Sequence, residues 1–200
     1  MNTPDPIHNA AAAFDSLPGV GPRAALRYAY WLVTQPKDVL QRFARSIATL
    51  ADQMTVCTTC GRWSDRSPCS MCADMTRDRT LLCVVATSQD VGAIEDTGAF
   101  KGLYHVLGGT IDPIEGRTPE TLRIAPLESR IKDPGSGIVE VILALDADIQ
   151  GDTSALYLTK RLEKLPIKIT RLARGLPTGA ALEYADAHTL ADALQNRKAS

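Results

Sequence analysis

The stretch LLCVVATSQDVGAIEDTGAFKGLYHVLGG, residues 81–109, decides the fold. Two short, almost uninterrupted apolar runs, LLCVVA and YHVLG, flank a segment expected to be helical from about Asp90 to Thr97. Strands that are apolar on both faces and separated by helices belong to parallel sheets covered on both sides. Reading outward, the pattern continues with a helix near Glu120 to Ile131, the strand IVEVILAL, a helix from Thr153 to Leu165 and the strand IKITRL. A short helix from about Ala187 to Gln195 closes the chain. The expectation is a mixed α/β domain with a parallel-centred sheet, in which Cys83 is a buried strand residue and Gly108-Gly109 a turn.

Upstream, Phe14 to Val33 reads FDSLPGVGPRAALRYAYWLV, two apolar helical stretches broken by Pro-Gly-Val-Gly-Pro after a polar lead. The turn LPGVGPRAA has the helix-hairpin-helix form h-x-G-x-G-x-x-x-A. Gly19 and Gly21 permit backbone conformations that a Cβ would forbid, and a helix begins just after them with its amides outward. A helix N-terminus carries partial positive charge and holds phosphate, and Arg23 and Arg27, one turn apart, add charge beside it. Such contacts position a duplex without reading its sequence. The same residues also suit an ordinary helical corner with solvated arginines, or a dimer surface through Leu26, Tyr30 and Trp31. A third helix is expected from Lys37 to Met54, with Val39, Leu40, Phe43, Ile47, Leu50, Ala51 and Met54 on one face and Arg42 and Arg45 outward.

Between these two parts stand Cys57-x2-Cys60 and Cys69-x2-Cys72. The stretch is too polar to hold a core of its own, and four thiolates at this spacing satisfy one tetrahedral Zn²⁺. With four protein ligands no position remains for an activated water, so the expected cofactor is one structural Zn²⁺ per subunit. A redox dithiol pair or an iron-sulfur site are the alternatives. Five cysteines cannot all pair, which favours metal ligation in a reducing compartment over disulfides.

Composition narrows the classes further. The chain of 200 residues is 44% hydrophobic and 22% charged, with formal net charge -1, so it is globular and not strongly basic. Residues 1–80 carry net +2 and the remainder net -3, which places any polyanion contact in the N-terminal part and leaves an acidic remainder for basic protein partners. No stretch approaches the roughly 20 apolar residues that span a bilayer, and the start has no signal-peptide pattern, so no membrane partner and a cytoplasmic location are expected. His8, His105 and His188 lack ligand spacing, and neither a nucleophile elbow nor a phosphate-binding P-loop occurs.

The α/β part is similar to the Toprim fold, in which a Glu after the first strand and an Asp-x-Asp after a later strand hold magnesium. Asp146-x-Asp148 stands in the second place and Asp90 a few residues past the first strand, but the Glu position is Ala86. Asp90, Asp146 and Asp148 are thus candidates for weak Mg²⁺ or partner binding, or for capping helices.

Taken in order, the hairpin, the four-cysteine module, the Toprim-like domain and the tail LARGLPTGAALEYAD resemble the RecR recombination mediator family over nearly the whole chain. LPGVGPRAALRYAYWL, AIEDTGAFKGLYHVLGG and ITRLARGLPTGAALEYADAHTL carry the resemblance. It implies a non-catalytic protein of DNA repair that forms homodimers and ring-like tetramers around double-stranded or gapped DNA, with Arg23 and Arg27 lining the opening. It also implies RecO and RecF as partners in loading recombinase at single-strand gaps, docked on an acidic Toprim surface. The implied segments are a hairpin domain at 1–55, a zinc finger at 56–78, the Toprim-like domain at 79–172 and an assembly segment at 173–200.

The family pattern has an acidic residue where Ala86 and Gln150 stand here and Thr-Asn where Leu145-Asp146 stand. Asp90, Asp148 and Asp152 remain as nearby negative charge. Two other readings stay open: a magnesium-dependent Toprim nuclease or primase-like enzyme, and a zinc-ribbon adaptor that binds only proteins.

Overall fold

The computed structural model describes residues 3–197, so the expected segment limits at 1 and 200 lie outside the described residues. The chain forms two compact units, Met1–Gln53 and Met54–Ser200. The first holds α1 (Asp5–Asp15), α2 (Pro22–Val33), α3 (Lys37–Ala48) and the single turn α4 (Leu50–Gln53). α1 occupies what reads as a polar lead. Its Ala10 to Ala13 run has the strongest helix propensity, Pro6 sits in the first turn, and Asp5 complements the dipole there. α1 and α2 pack as a hairpin that buries Ala25 and Ala29, with Phe14 edge-on to Tyr28 at 5.9 Å between ring centroids. The third helix breaks at Thr49, whose hydroxyl donates to the Arg45 carbonyl at 2.9 Å and competes with the helical ladder.

The second unit starts with β1 (Thr55–Val56) paired antiparallel to β2 (Trp63–Ser64), followed by α5 (Ser70–Ala73). Then come β3 (Asp78–Val85), α6 (Ser88–Asp96), β4 (Gly102–Val106), α7 (Ile124–Lys132), β5 (Glu140–Ala144), α8 (Ile149–Leu162) and β6 (Lys168–Arg171). A 3-10 turn (Leu182–Tyr184) precedes α9 (Ala187–Gln195). β3 to β6 form one sheet in the order β4-β3-β5-β6, every pair parallel. The mixed α/β class with a parallel sheet is as expected from the strand alternation.

The period of two along β3 divides the core. Leu82 and Val84 face the larger cluster with Leu127 of α7 and Leu158 and Leu162 of α8. Cys83 and Val85 face the other side with Val91, Tyr104 and Val106, against which Met71 of the cysteine module packs. Cys83 is a buried strand residue whose thiol burial pushes up to about 12. α8 begins at Ile149 and not at Thr153, because Asp148 caps it through its carboxylate. α7, by contrast, starts later than its pattern indicates, at Ile124.

Candidate nucleic-acid interface and metal centre

The hairpin turn is built to leave backbone donors free. Gly19 has φ +77°, in the left-handed region that favours glycine, and nothing among the described residues lies within 4 Å of where its Cβ would be. Gly21 is the N-cap of α2, and Pro22 at the first helical position has no N–H to offer. Ala24 and Ala25 donate to the Gly21 carbonyl at 3.0 Å. Among the described residues, the amides of Gly19, Gly21 and Arg23 have no hydrogen-bond partner. Arg23 and Arg27 are exposed on the same helix and engage no carboxylate among the described residues, although the Arg27 guanidinium lies 5.6 Å from the centre of the Tyr28 ring. The structure therefore brings Gly19, Gly21, Arg23 and Arg27 into one cationic, donor-rich turn.

The ligand atoms of Cys57, Cys60, Cys69 and Cys72 all lie within 4.8 Å of one another. Cys57 Sγ and Cys72 Sγ are 4.0 Å apart, and Cys60 Sγ and Cys69 Sγ 3.7 Å. Four sulfurs placed ~2.3 Å from a tetrahedral ion would be about 3.8 Å apart, so the enclosure fits such an ion. The first knuckle closes through Gly61, whose amide donates to the Cys57 carbonyl at 2.8 Å at φ +80°. The Cys69 amide donates to Cys57 Sγ at 3.3 Å. The Cys60 thiol is pulled down to about 5, chiefly by the neighbouring Cys72 thiol, and the same coupling pushes the Cys72 thiol up. One sulfur can ionise alone, but four require a cation among them.

The module is stitched to the sheet. Val106 of β4 donates its amide to the Cys60 carbonyl at 2.7 Å, and the Trp63 amide donates to Ser88 Oγ at 3.0 Å. Arg130 of α7 donates from Nη1 to the Tyr104 carbonyl at 2.7 Å and reaches the Thr59 carbonyl at 3.5 Å. Behind the module, Arg77 pairs with Glu95, which also accepts from the Tyr104 hydroxyl at 2.7 Å. The paired guanidinium and the phenol hold the Glu95 carboxyl below the usual carboxylate range.

The Toprim-like carboxylates are placed separately. Asp90 sits in a capping box, its Oδ2 accepting from the Thr87 amide at 2.7 Å. Asp148 Oδ1 accepts from the Gly151 amide at 2.7 Å, and Asp146 is exposed. Among the described residues the four cysteines are the only group of three or more His, Cys, Asp or Glu whose ligand atoms converge this closely.

The sequence matches the helix-hairpin-helix of RecR over residues 7–51, a Toprim domain over 80–173 and the RecR C-terminal family over 175–198. It is 48% identical over 198 residues to the "Recombination protein RecR" of Treponema denticola, covering 98% of each chain. It is 43% identical over 197 residues to the protein of the same name from Moorella thermoacetica, again covering 98% of each. The chain belongs to the RecR family.

Two positions at which it departs from the expected RecR pattern lie beside the helix caps. Ala86 is buried at the end of β3, and Gln150 is exposed on the first turn of α8, where its carbonyl accepts from Ser154 Oγ at 2.7 Å. Asp152, expected as nearby negative charge, is paired with Arg174 and Arg171, which hold its carboxyl down at about 2. These arginines anchor the start of the tail, and Asn196 Nδ2 returns to the Arg174 carbonyl at 3.2 Å.

Other residues of this RecR chain were invisible to motif reading. A Cβ on Gly151 would lie 2.1 Å from the Asp146 carbonyl oxygen, so only glycine allows α8 to start there. A Cβ on Gly61 would lie 2.5 Å from Arg123 Nε. His105 is fully buried in β4, with Nε2 2.8 Å from the Arg123 carbonyl. No helix among the described residues is long and apolar enough to cross a membrane.

Proposed function

We propose that this chain is a non-catalytic DNA-binding recombination mediator that encircles double-stranded or gapped DNA as a homo-oligomeric ring. In this reading it acts with RecO and RecF to load recombinase at single-strand gaps. The observation that carries DNA binding is the hairpin turn, where the unpartnered amides of Gly19, Gly21 and Arg23 meet the exposed Arg23 and Arg27. Assembly is supported by α3, which buries none of its residues and leaves Phe43 and Ile47 exposed on its apolar face. Tyr30, Trp31 and Leu17 are likewise exposed in this unit.

One structural Zn²⁺ is assigned to Cys57, Cys60, Cys69 and Cys72, where it would organise a segment that has no core of its own. The working division is a hairpin domain at 1–55, the zinc finger at 56–78, the Toprim-like domain at 79–172 and the assembly segment from 173. A non-catalytic role is favoured because Ala86 offers no ligand and the carboxylates of Asp90 and Asp148 already serve helix amides. Asp146 is the exposed carboxylate left for a basic partner.

The test is binding to gapped duplex DNA across a salt series, with oligomer size followed in parallel. Arg23→Ala with Arg27→Ala should weaken binding and lower the slope of log affinity against log salt by about 2, at about 0.9 per phosphate contact, with oligomer size unchanged. A wild-type protein that assembles yet ignores DNA at low salt would defeat the DNA-binding reading.

A further inference from the structure

Two half-buried arginines flank the first cysteine knuckle and, among the described residues, lack a carboxylate partner. Arg130 extends from α7 beneath the module, donating to the Tyr104 carbonyl and reaching that of Thr59, the residue before Cys60. Arg123, just before α7, lies against Gly61, the residue after Cys60, and its buried Nε has no hydrogen-bond partner among the described residues. Neither has an acidic group within salt-bridge distance among the described residues, whereas Arg77, on the far side of Tyr104, has Glu95.

An isolated buried cation is costly, and so is a buried dianion. Four thiolates around a divalent ion carry a net charge of about -2. Two guanidinium groups beside the residues that flank Cys60 would oppose this charge, and the cluster would oppose theirs. We propose that Arg123 and Arg130 are the counter-charges of the metal-tetrathiolate centre, so that metal binding in the cysteine module stabilises the seating of α7 on the sheet. The inference rests on the zinc reading given above.

Polar groups around a metal's ligands typically change its affinity by 10- to 100-fold when removed. The experiment is zinc competition against a chromophoric chelator, under reducing conditions and on the full chain, for wild type, Arg123→Met, Arg130→Met, the double variant and Arg130→Lys. Each Met variant should bind zinc about 10-fold more weakly and the double variant about 100-fold, while Arg130→Lys stays within about threefold of wild type. Thermal unfolding of metal-free and metal-loaded forms adds a second readout, in which the Met variants should narrow the gap between the two midpoints.

Zinc affinity unchanged in the double variant would overturn the proposal. So would a Lys variant as weak as the Met variant, since shape and not charge would then be what matters. Should Arg130→Met fail to fold by far-UV circular dichroism, Arg123→Gln against Arg123→Lys makes the same comparison, and equal zinc affinities would overturn it. A wild-type chain that takes up no stoichiometric zinc would instead defeat the zinc reading, an outcome distinct from wild-type binding that no arginine variant alters.

Discussion

His105 should make the second unit sensitive to mild acid. The imidazole is fully buried, and Nε2 donates to the Arg123 carbonyl at 2.8 Å, which fixes the neutral tautomer and leaves Nδ1 buried without a partner among the described residues. Burial, aided by the charges of Arg130 and Arg123, holds it down at about 4 against an ordinary 6.5. Between those two values the unfolded chain takes up a proton that the folded chain refuses, so stability rises with pH across that window. The contribution is complete above 6.5 and is lost as pH falls toward 4, to a limit of about 3 kcal/mol. Urea unfolding of wild type and His105→Gln isolates it, because glutamine keeps an N–H for the Arg123 carbonyl and does not titrate. Losses common to both proteins, including protonation of the cysteine thiolates, cancel in the difference. Relative to the variant, wild type should lose about 2 kcal/mol between about pH 7 and about pH 5. Parallel pH dependence of the two proteins would refute the assignment of His105 as a neutral buried base.

Gly151→Ala should lower stability by about 2 kcal/mol in denaturant unfolding, because its Cβ meets the Asp146 carbonyl and the start of α8 must shift. Asp152→Asn should leave the overall unfolding midpoint within about 1 kcal/mol, since the pair is half-exposed, yet speed protease cleavage between Arg174 and Asn196 as the Arg171 and Arg174 anchors loosen. Metal removal by a chelator under reducing conditions should expose residues 57–72 to proteolysis and change the emission of Trp63, with re-addition of Zn²⁺ restoring both. An unchanged cleavage pattern would sink the structural role of the metal.

The parts of this fold that were legible in the sequence are those set by short-range rules. LLCVVA and YHVLG announce strands buried on both faces, and the two C-x-x-C pairs announce a common enclosure because their geometry is local to each knuckle. α9 is legible for the same reason, with Asp186 capping it through the amides of His188 and Thr189. What escaped depends on contacts between distant segments. Nothing near Arg130 in sequence indicates that its guanidinium lies under Thr59. Asp152 reads only as nearby negative charge, and nothing next to it in sequence shows that β6 and the tail bring Arg171 and Arg174 to it. Most of α1 escaped because it lies ahead of Phe14, in the stretch that reads as a polar lead.

β4 is an outer strand of the sheet, and outer strands ordinarily expose a row of unpaired backbone groups to which another chain can add. Leu107 donates inward to the Val85 carbonyl, so Tyr104 and Val106 turn their polar groups outward. The Tyr104 carbonyl is taken by Arg130 and the Val106 amide by the Cys60 carbonyl. The cysteine module thus works as an edge guard: if the proposed metal were withdrawn and the module loosened, a sticky strand would risk being uncovered, with aggregation as the expected consequence.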